Sequence, residues 1–268
     1  MVPAYLDTLS AIACATFLIF GSWSDLKTRE VSNKVWAISL PIVAVMTATK
    51  IYLSLGLLLM YVISMAVSIA VSFAVFEIGF FGGADAKAMI TLAVAFPLYP
   101  EAFQPILGYL HPFFPLIVFT NSYLLSLTSI VYVLVRNVVW KIHTKSSLFE
   151  GFEGESFLKK LLVLLSGYKV ELSELRRRTH LIPIEDVSED GKTPLRKMRV
   201  FVPAEEDRNT VLDRLEEYVS RRLLPNQLWV TPGLPMLVFI AFGFAVTLVI
   251  GDALFYAIYS VARLMIGL

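Results

Sequence analysis

The chain predicts an all-α polytopic membrane protein of about six transmembrane helices, with a small cytoplasmic α+β insert before the last helix. Three observations predict it. Of the 268 residues, 57 % are hydrophobic, and the mean hydropathy of +0.70 is far above that of an ordinary soluble domain. The apolar residues are gathered into runs near the length of about 20 that a bilayer crossing needs. The charges lie in blocks between those runs, although the net charge is only +1.

The runs fall at residues 5–23, 34–50, 53–76, 86–99, 113–135 and 233–250. The first is preceded by no Lys or Arg, only Asp7, so it reads as a retained anchor and not as a cleaved secretory signal. The second and third nearly fuse at Lys50, and the fourth is short and bounded by Pro97 and Pro100. Within the fifth, Asn121 and Ser122 read as groups that hydrogen bond between helices.

Residues 136–230 form the one polar unit, with 17 basic and 15 acidic side chains. In it "FLKKLLVLLSGY" predicts an interfacial amphipathic helix, "HLIPIED" and "MRVFVP" predict short strands, and "RNTVLDRLEEYVSRRL" has helical spacing. The run Arg176 to Arg178 reads as a solvated face ahead of a contact with anionic lipid. The tail after Gly251 and Asp252 is too short for a seventh span, and either prolongs the sixth helix or lies along the outer surface. The expected division is a membrane domain (1–135), a soluble insert (136–230), and a last helix with its tail (231–268).

Several function classes fall away. Cys14 is the single cysteine, in an apolar run where its role is packing, so no disulfide framework or Cys-ligated zinc is available. His111, His143 and His180 are dispersed, and no nucleotide fingerprint occurs. The expectation is a protein without metal or cofactor, and without nucleotide or nucleic-acid partners, whose surroundings are the lipid bilayer. Trp23 and Trp36 flank the first loop and mark interfacial depth.

Basic residues prefer the cytoplasmic side. Lys27, Arg29, Lys34, Lys87 and the seventeen of the insert all fall in odd-numbered connections, leaving Lys50 and Arg263 for the opposite side. The expected topology is therefore a multi-pass cell-membrane protein with its N-terminus outside.

That topology brings two aspartates to one face. Asp25 ends the first run in "GSWSDLKTREVSNKVW", and Asp85 sits in "FEIGFFGGADAKAMI" between the third and fourth. Two crossings separate them, so both carboxylates lie at the cytoplasmic boundary. An ionisable group beside the hydrocarbon is a functional hypothesis by default. Two neighbouring carboxylates do not both ionise cheaply, so one holds a proton while the other stays charged. The charged member can draw a proton from water while its partner polarises a peptide carbonyl, which hydrolyses an amide without metal. Gly82 and Gly83 suit such a site because a residue without Cβ permits unusual backbone angles and close approach of a substrate. Lys87 either favours the ionised form of Asp85 or anchors the helix end at the headgroups. The plainer alternative is a solvated Asp25 beside Lys27 and Arg29, with Asp85 acting as a helix cap.

In these motifs the chain resembles the archaeal preflagellin and type IV prepilin peptidases, which are GxGD membrane aspartyl proteases. The first motif is the inner-loop aspartate followed by a basic residue and an asparagine, here Asp25, Arg29 and Asn33. The second is the turn Gly82, Gly83, Ala84, Asp85, Ala86, Lys87, with Ala84 where many members have glycine. The layout of spans and "WVTPGLP" leading into the last one also agree. The resemblance implies that Asp25 and Asp85 are catalytic, that Gly82, Gly83, Ala84 and Lys87 support the turn, and that Arg29 and Asn33 support the first loop. It implies substrates that are archaellin and type IV pilin-like precursors, whose short basic class III leader precedes a hydrophobic helix. Glu30 and Glu77 read as rim charges more than as contacts to that leader. Competing readings are a presenilin-like protease cutting within the hydrocarbon, a proton- or ion-coupled transporter using the aspartates as a relay, and a scaffold whose insert does the work.

Overall fold

The computed structural model describes residues 3–188, 195–199 and 208–266. The chain divides into two compact units, Met1–Ser126 with Pro235–Leu268, and Leu127–Leu234.

In the first unit α1 (Ala4–Thr28) follows Pro3 and ends where Arg29 turns left-handed at φ 59°. Ser32 then caps α2 (Asn33–Leu53) by accepting from the Lys34 N–H at 3.3 Å. One turn of 3-10 helix (Leu55–Leu57) leads into α3 (Leu58–Glu77), and α4 (Gly83–Ala95) stops at Phe96, which precedes Pro97 and is held out of the helical region by it. A long connection reaches α5 (Phe114–Ser126).

These helices are apolar outside and dotted with small polar groups inside. Ile12, Ile19, Val45 and Leu59 are exposed, while α3 buries Tyr61, Ser64, Ser68 and Ser72 at intervals of three and four residues. That inversion suits lipid surroundings, where small polar residues let helices approach and bond to one another.

The second unit opens with α6 (Thr128–Thr144) and α7 (Phe157–Ser166). Strand β1 (Tyr168–Glu171), helix α8 (Leu172–Arg177), strands β2 (Leu181–Pro183), β3 (Glu185–Ser188) and β4 (Leu195–Met198), helix α9 (Arg208–Ser220) and strand β5 (Gln227–Pro232) complete it. Strand β5 lies between β1 and β2, antiparallel to both, with Tyr168 opposite Val230 and Ile182 opposite Thr231. A separate antiparallel pair is formed by β3 and β4. Arg208 ties α8 to β2 by donating to the carbonyls of Leu175, Arg178 and Leu181. The expected strand at "MRVFVP" begins where β4 is ending at Met198; residues 200–203 of it lie outside the described residues.

The chain returns to the first unit with α10 (Met236–Val249) and α11 (Ala253–Ile266), bent by 63° against each other. Gly251 makes the bend: its φ is +99°, and a Cβ there would collide with the Gly108 carbonyl and lie 2.9 Å from Pro105. The expected tail is therefore a second helix set at an angle, which Asp252 caps by accepting from the Phe255 N–H at 2.9 Å. Asn121 of α5 bonds Thr247 at 2.9 Å and the Gly251 carbonyl at 2.8 Å, so it serves helix packing as expected.

All six expected spans are helical, yet fewer are long enough to cross alone. Among the described residues four helices qualify by length and composition, Ala4–Thr28, Asn33–Leu53, Leu55–Glu77 and Phe114–Thr144, and the bent pair α10 and α11 makes a fifth. With 13 residues, α4 is about 20 Å long and falls short of a hydrocarbon core of about 30 Å. The apolar helix ending at Thr144 also runs past position 135, where the sequence placed the end of the fifth span.

Candidate active site

Asp25 lies in the last turn of α1, half-buried. The chain leaves that helix through a pinned turn: the Arg29 N–H donates to the Asp25 carbonyl at 2.9 Å, and the hydroxyls of Ser24 and Thr28 donate to the Glu30 carbonyl at 2.8 and 2.9 Å. A left-handed arginine is unfavourable by about 1–2 kcal/mol, and these bonds oppose that strain. Arg29 is within electrostatic reach of the Asp25 carboxylate.

Asp85 lies in the first turn of α4 and is buried, at 9 % exposure. Its Oδ2 accepts from the Gly82 N–H at 2.9 Å, the cap anticipated as its plainer role. A carboxylate offers about four acceptor positions, so one such bond leaves capacity for a water or a substrate. Asp25 and Asp85, sixty positions apart, lie within electrostatic reach of each other.

The supporting residues have distinct placements. Gly82 is extended at φ −73°, and Gly83 begins the helix, so the unusual backbone angles expected of them do not occur; between α3 and α4 the positive φ falls on Gly79, at +84°. Space remains a reason for Gly82, where a Cβ would stand 3.2 Å from Asp85 Oδ2. Ala84 packs partly buried against the apolar core of its unit. Lys87 turns away to donate to Asn33 Oδ1 at 2.6 Å, joining the second motif to the start of α2. Phe81 is buried against Phe119 and Tyr123 of α5, with ring centroids 5.8 Å apart in both cases. Among the described residues no group of three or more His, Cys, Asp or Glu side chains is placed to hold a metal ion.

Sequence reasoning missed two features. Tyr123 stacks on Phe81, stands within electrostatic reach of Asp85, and has a buried hydroxyl without a protein partner among the described residues. Its signal was a polar aromatic two positions beyond Asn121 in an apolar run. At the other end of α1, Asp7 and Lys50 form a buried ion pair at 2.9 Å. In the sequence each shows only singly, as a charge beside an apolar run.

Residues 12–135 match the model of the Type IV leader peptidase family, and both aspartates fall within that stretch. Residues 159–253 match the model described as Archaeal Peptidase A24 C-terminus Type II. Among curated proteins the chain is similar to the preflagellin peptidase of Methanocaldococcus jannaschii, 27 % identical over 265 residues that cover 94 % of this chain and 98 % of that one. It is similar to the preflagellin peptidase of Methanococcus voltae, 24 % identical over 245 residues, 88 % of this chain and 92 % of that one. The Methanococcus maripaludis preflagellin peptidase is 25 % identical with the same coverage.

Proposed function

The chain belongs to the type IV leader peptidase family, and on that premise we propose that it is a membrane aspartic endopeptidase using Asp25 and Asp85. Its substrates are archaellin and pilin-like precursors, and it removes their short basic leaders at the cytoplasmic face. The activity as a peptidase rests on the family, and the substrate on relatives named preflagellin peptidase.

The observation that carries the choice of residues is the mutual electrostatic reach of Asp25 and Asp85 despite their separation in sequence. Two carboxylates that feel each other share a proton more readily than they hold two charges. The ionised member takes a proton from water as the water oxygen attacks the scissile carbonyl carbon, and the protonated member gives its proton to the carbonyl oxygen. Collapse of the tetrahedral intermediate breaks the C–N bond, with a proton delivered to the leaving amine nitrogen. The leader junction precedes an apolar helix, so a helix held beside α1 presents that junction at the depth of Asp25. The transporter reading loses its mid-membrane polar group, because Asn121 is engaged with Thr247 and Gly251.

The test is leader removal from an archaellin or pilin precursor in membranes carrying wild type, Asp25→Asn or Asp85→Asn, each checked for expression and folding. Either asparagine variant is expected to lower the rate at least about a hundredfold. Wild-type rates from both variants refute the pair.

A further inference from the structure

We propose that the cleft between α1 and α10 is the docking groove for the apolar helix of the precursor. This rests on the peptidase reading and adds a binding site to it.

The cleft has a volume of about 730 Å³ and opens along the outside of the first unit. Its lining is apolar apart from Thr8 and Ser22, and four alanines, Ala11, Ala15, Ala241 and Ala245, belong to its walls. Side chains this small let another helix approach closely, which is how helices associate in lipid without a hydrophobic driving force between them. The rims carry exposed Ile12, Ile19, Trp23 and Phe242, large groups free to close on an occupant.

Length and register then select the occupant. Along α1 the lining runs from Thr8 to Leu26, a rise of about 27 Å, close to the hydrocarbon thickness of about 30 Å. The lining residues Leu18, Ser22 and Leu26 recur four apart, and the cleft ends on α1 at Trp23 and Leu26, on either side of Asp25 in sequence and at its height along the helix. A helix lying in the cleft therefore reaches its end at the level of Asp25, and the extended segment before it lies against the carboxylate. An acyl chain fits the chemistry of the walls, yet it has no need of a full-length cleft whose end is level with Asp25. The groove thus measures the distance from helix to scissile bond, and the chemistry it selects is a single apolar helix of about 18 residues or more.

Photo-crosslinking in lipid membranes tests this with an archaellin precursor. A photoreactive residue is placed at Ile19 or Phe242, and as a control at Val45 or Val62, which are exposed on α2 and α3. The expected result is crosslinking to the precursor's apolar helix from the groove positions at least about tenfold above the controls. In parallel Ala245→Phe, at an exposed position that leaves the core intact, is expected to raise KM about tenfold with kcat retained. Cleavage with equal crosslinking from groove and control positions, or crosslinks from the groove to lipid only, overturns the groove and leaves the peptidase standing. Groove crosslinks without any cleavage uphold the docking site and refute the hydrolysis. Neither crosslinking nor cleavage refutes both.

Discussion

The ion pair at the far end of α1 offers a sharp test of what holds the membrane unit together. Asp7 and Lys50 are 5 % and 3 % exposed and 2.9 Å apart. The Lys50 ammonium also lies 4.4 Å from the centre of the Phe96 ring, and the Ala102 N–H donates to Asp7 Oδ2 at 3.4 Å. The pair thus fastens α1 to α2 and both to the segment that follows α4. Removing one member leaves a buried charge without its counter-ion, which costs about 3–5 kcal/mol, whereas exchanging both for groups of similar volume is close to neutral. Lys50→Met and Asp7→Asn should each destabilise by that amount, since the stranded carboxylate keeps only one long N–H bond and the stranded ammonium only the face of Phe96. The double variant should recover most of the loss, so that it is far less destabilised than the sum of the two single variants. Unfolding of the full chain in lipid bicelles measures the four stabilities, and leader cleavage is followed in parallel. Asp7 and Asp25 are 18 positions apart on one helix, about 27 Å, so cleavage by the folded fraction should be unchanged. Single losses below about 1 kcal/mol that simply add would show that the pair is solvated in the membrane and refute the reasoning.

Three further outcomes are expected. Asn33→Ala and Lys87→Ala should each reduce kcat several-fold, and the double variant should be no worse than either, because both remove the one bond at 2.6 Å; stability should move by no more than about 1 kcal/mol. Gly243→Ala should destabilise by about 1–3 kcal/mol, since its Cβ would collide with Ser122 Oγ and lie 2.9 Å from the Ser122 nitrogen; Ser122→Gly in the same chain should restore part of the loss in an unfolding assay. In the insert, burial and then the Arg196 charge lower the Lys169 amine to about 8 from the ordinary 10.5, against the pull of Glu185 and Glu150. The unfolded chain then binds more protons than the native one, so this lysine makes stability climb from pH 8 towards 10.5, and thermal unfolding of Lys169→Met should lack that rise.

The helices were legible because lipid and protein interiors select the same residues, and for the same reason the sequence does not tell which of them cross alone. The residues of α4 read as a fourth crossing because Ala86, Ala88, Met89, Leu92, Ala93 and Ala95 are apolar. They are buried against protein, however, and the 13-residue helix they form is about 20 Å long against a hydrocarbon core of about 30 Å. Periodicity reported the helix and not what surrounds it. In the insert, the amphipathic run at 157–168 and the run at 208–223 fell close to α7 and α9, where helical spacing is unambiguous. The pairing of β5 between β1 and β2 left no comparable mark, since register depends on partners distant in the chain. The expectation that Asp25 and Asp85 share one face comes from counting crossings, which speaks only of depth. Contacts within that depth, Lys87 to Asn33 and Tyr123 beside Phe81, required side-chain directions that no spacing specifies.

The two readings of Asp85, helix cap and catalytic acid, are compatible. A cap bond from the Gly82 N–H holds Oδ2 in one place and orients the carboxyl plane from the first turn of a helix that is itself buried. Placement of this kind is what acid-base catalysis requires, since the reacting group must be held while substrate and water change around it. The strain taken up at Arg29 has the same sense on the other side: a left-handed turn, pinned by Ser24 and Thr28, ends α1 within one turn of Asp25. Both carboxylates therefore stand at helix ends whose backbone is constrained, one by a cap and one by a stop. A substitution that loosens either end, such as Gly82→Val, which would crowd Asp85 Oδ2, or a simultaneous loss of the Ser24 and Thr28 hydroxyls, should lower kcat while leaving precursor binding intact. A rise in KM with kcat retained would place those residues in substrate binding and separate the cap from the chemistry.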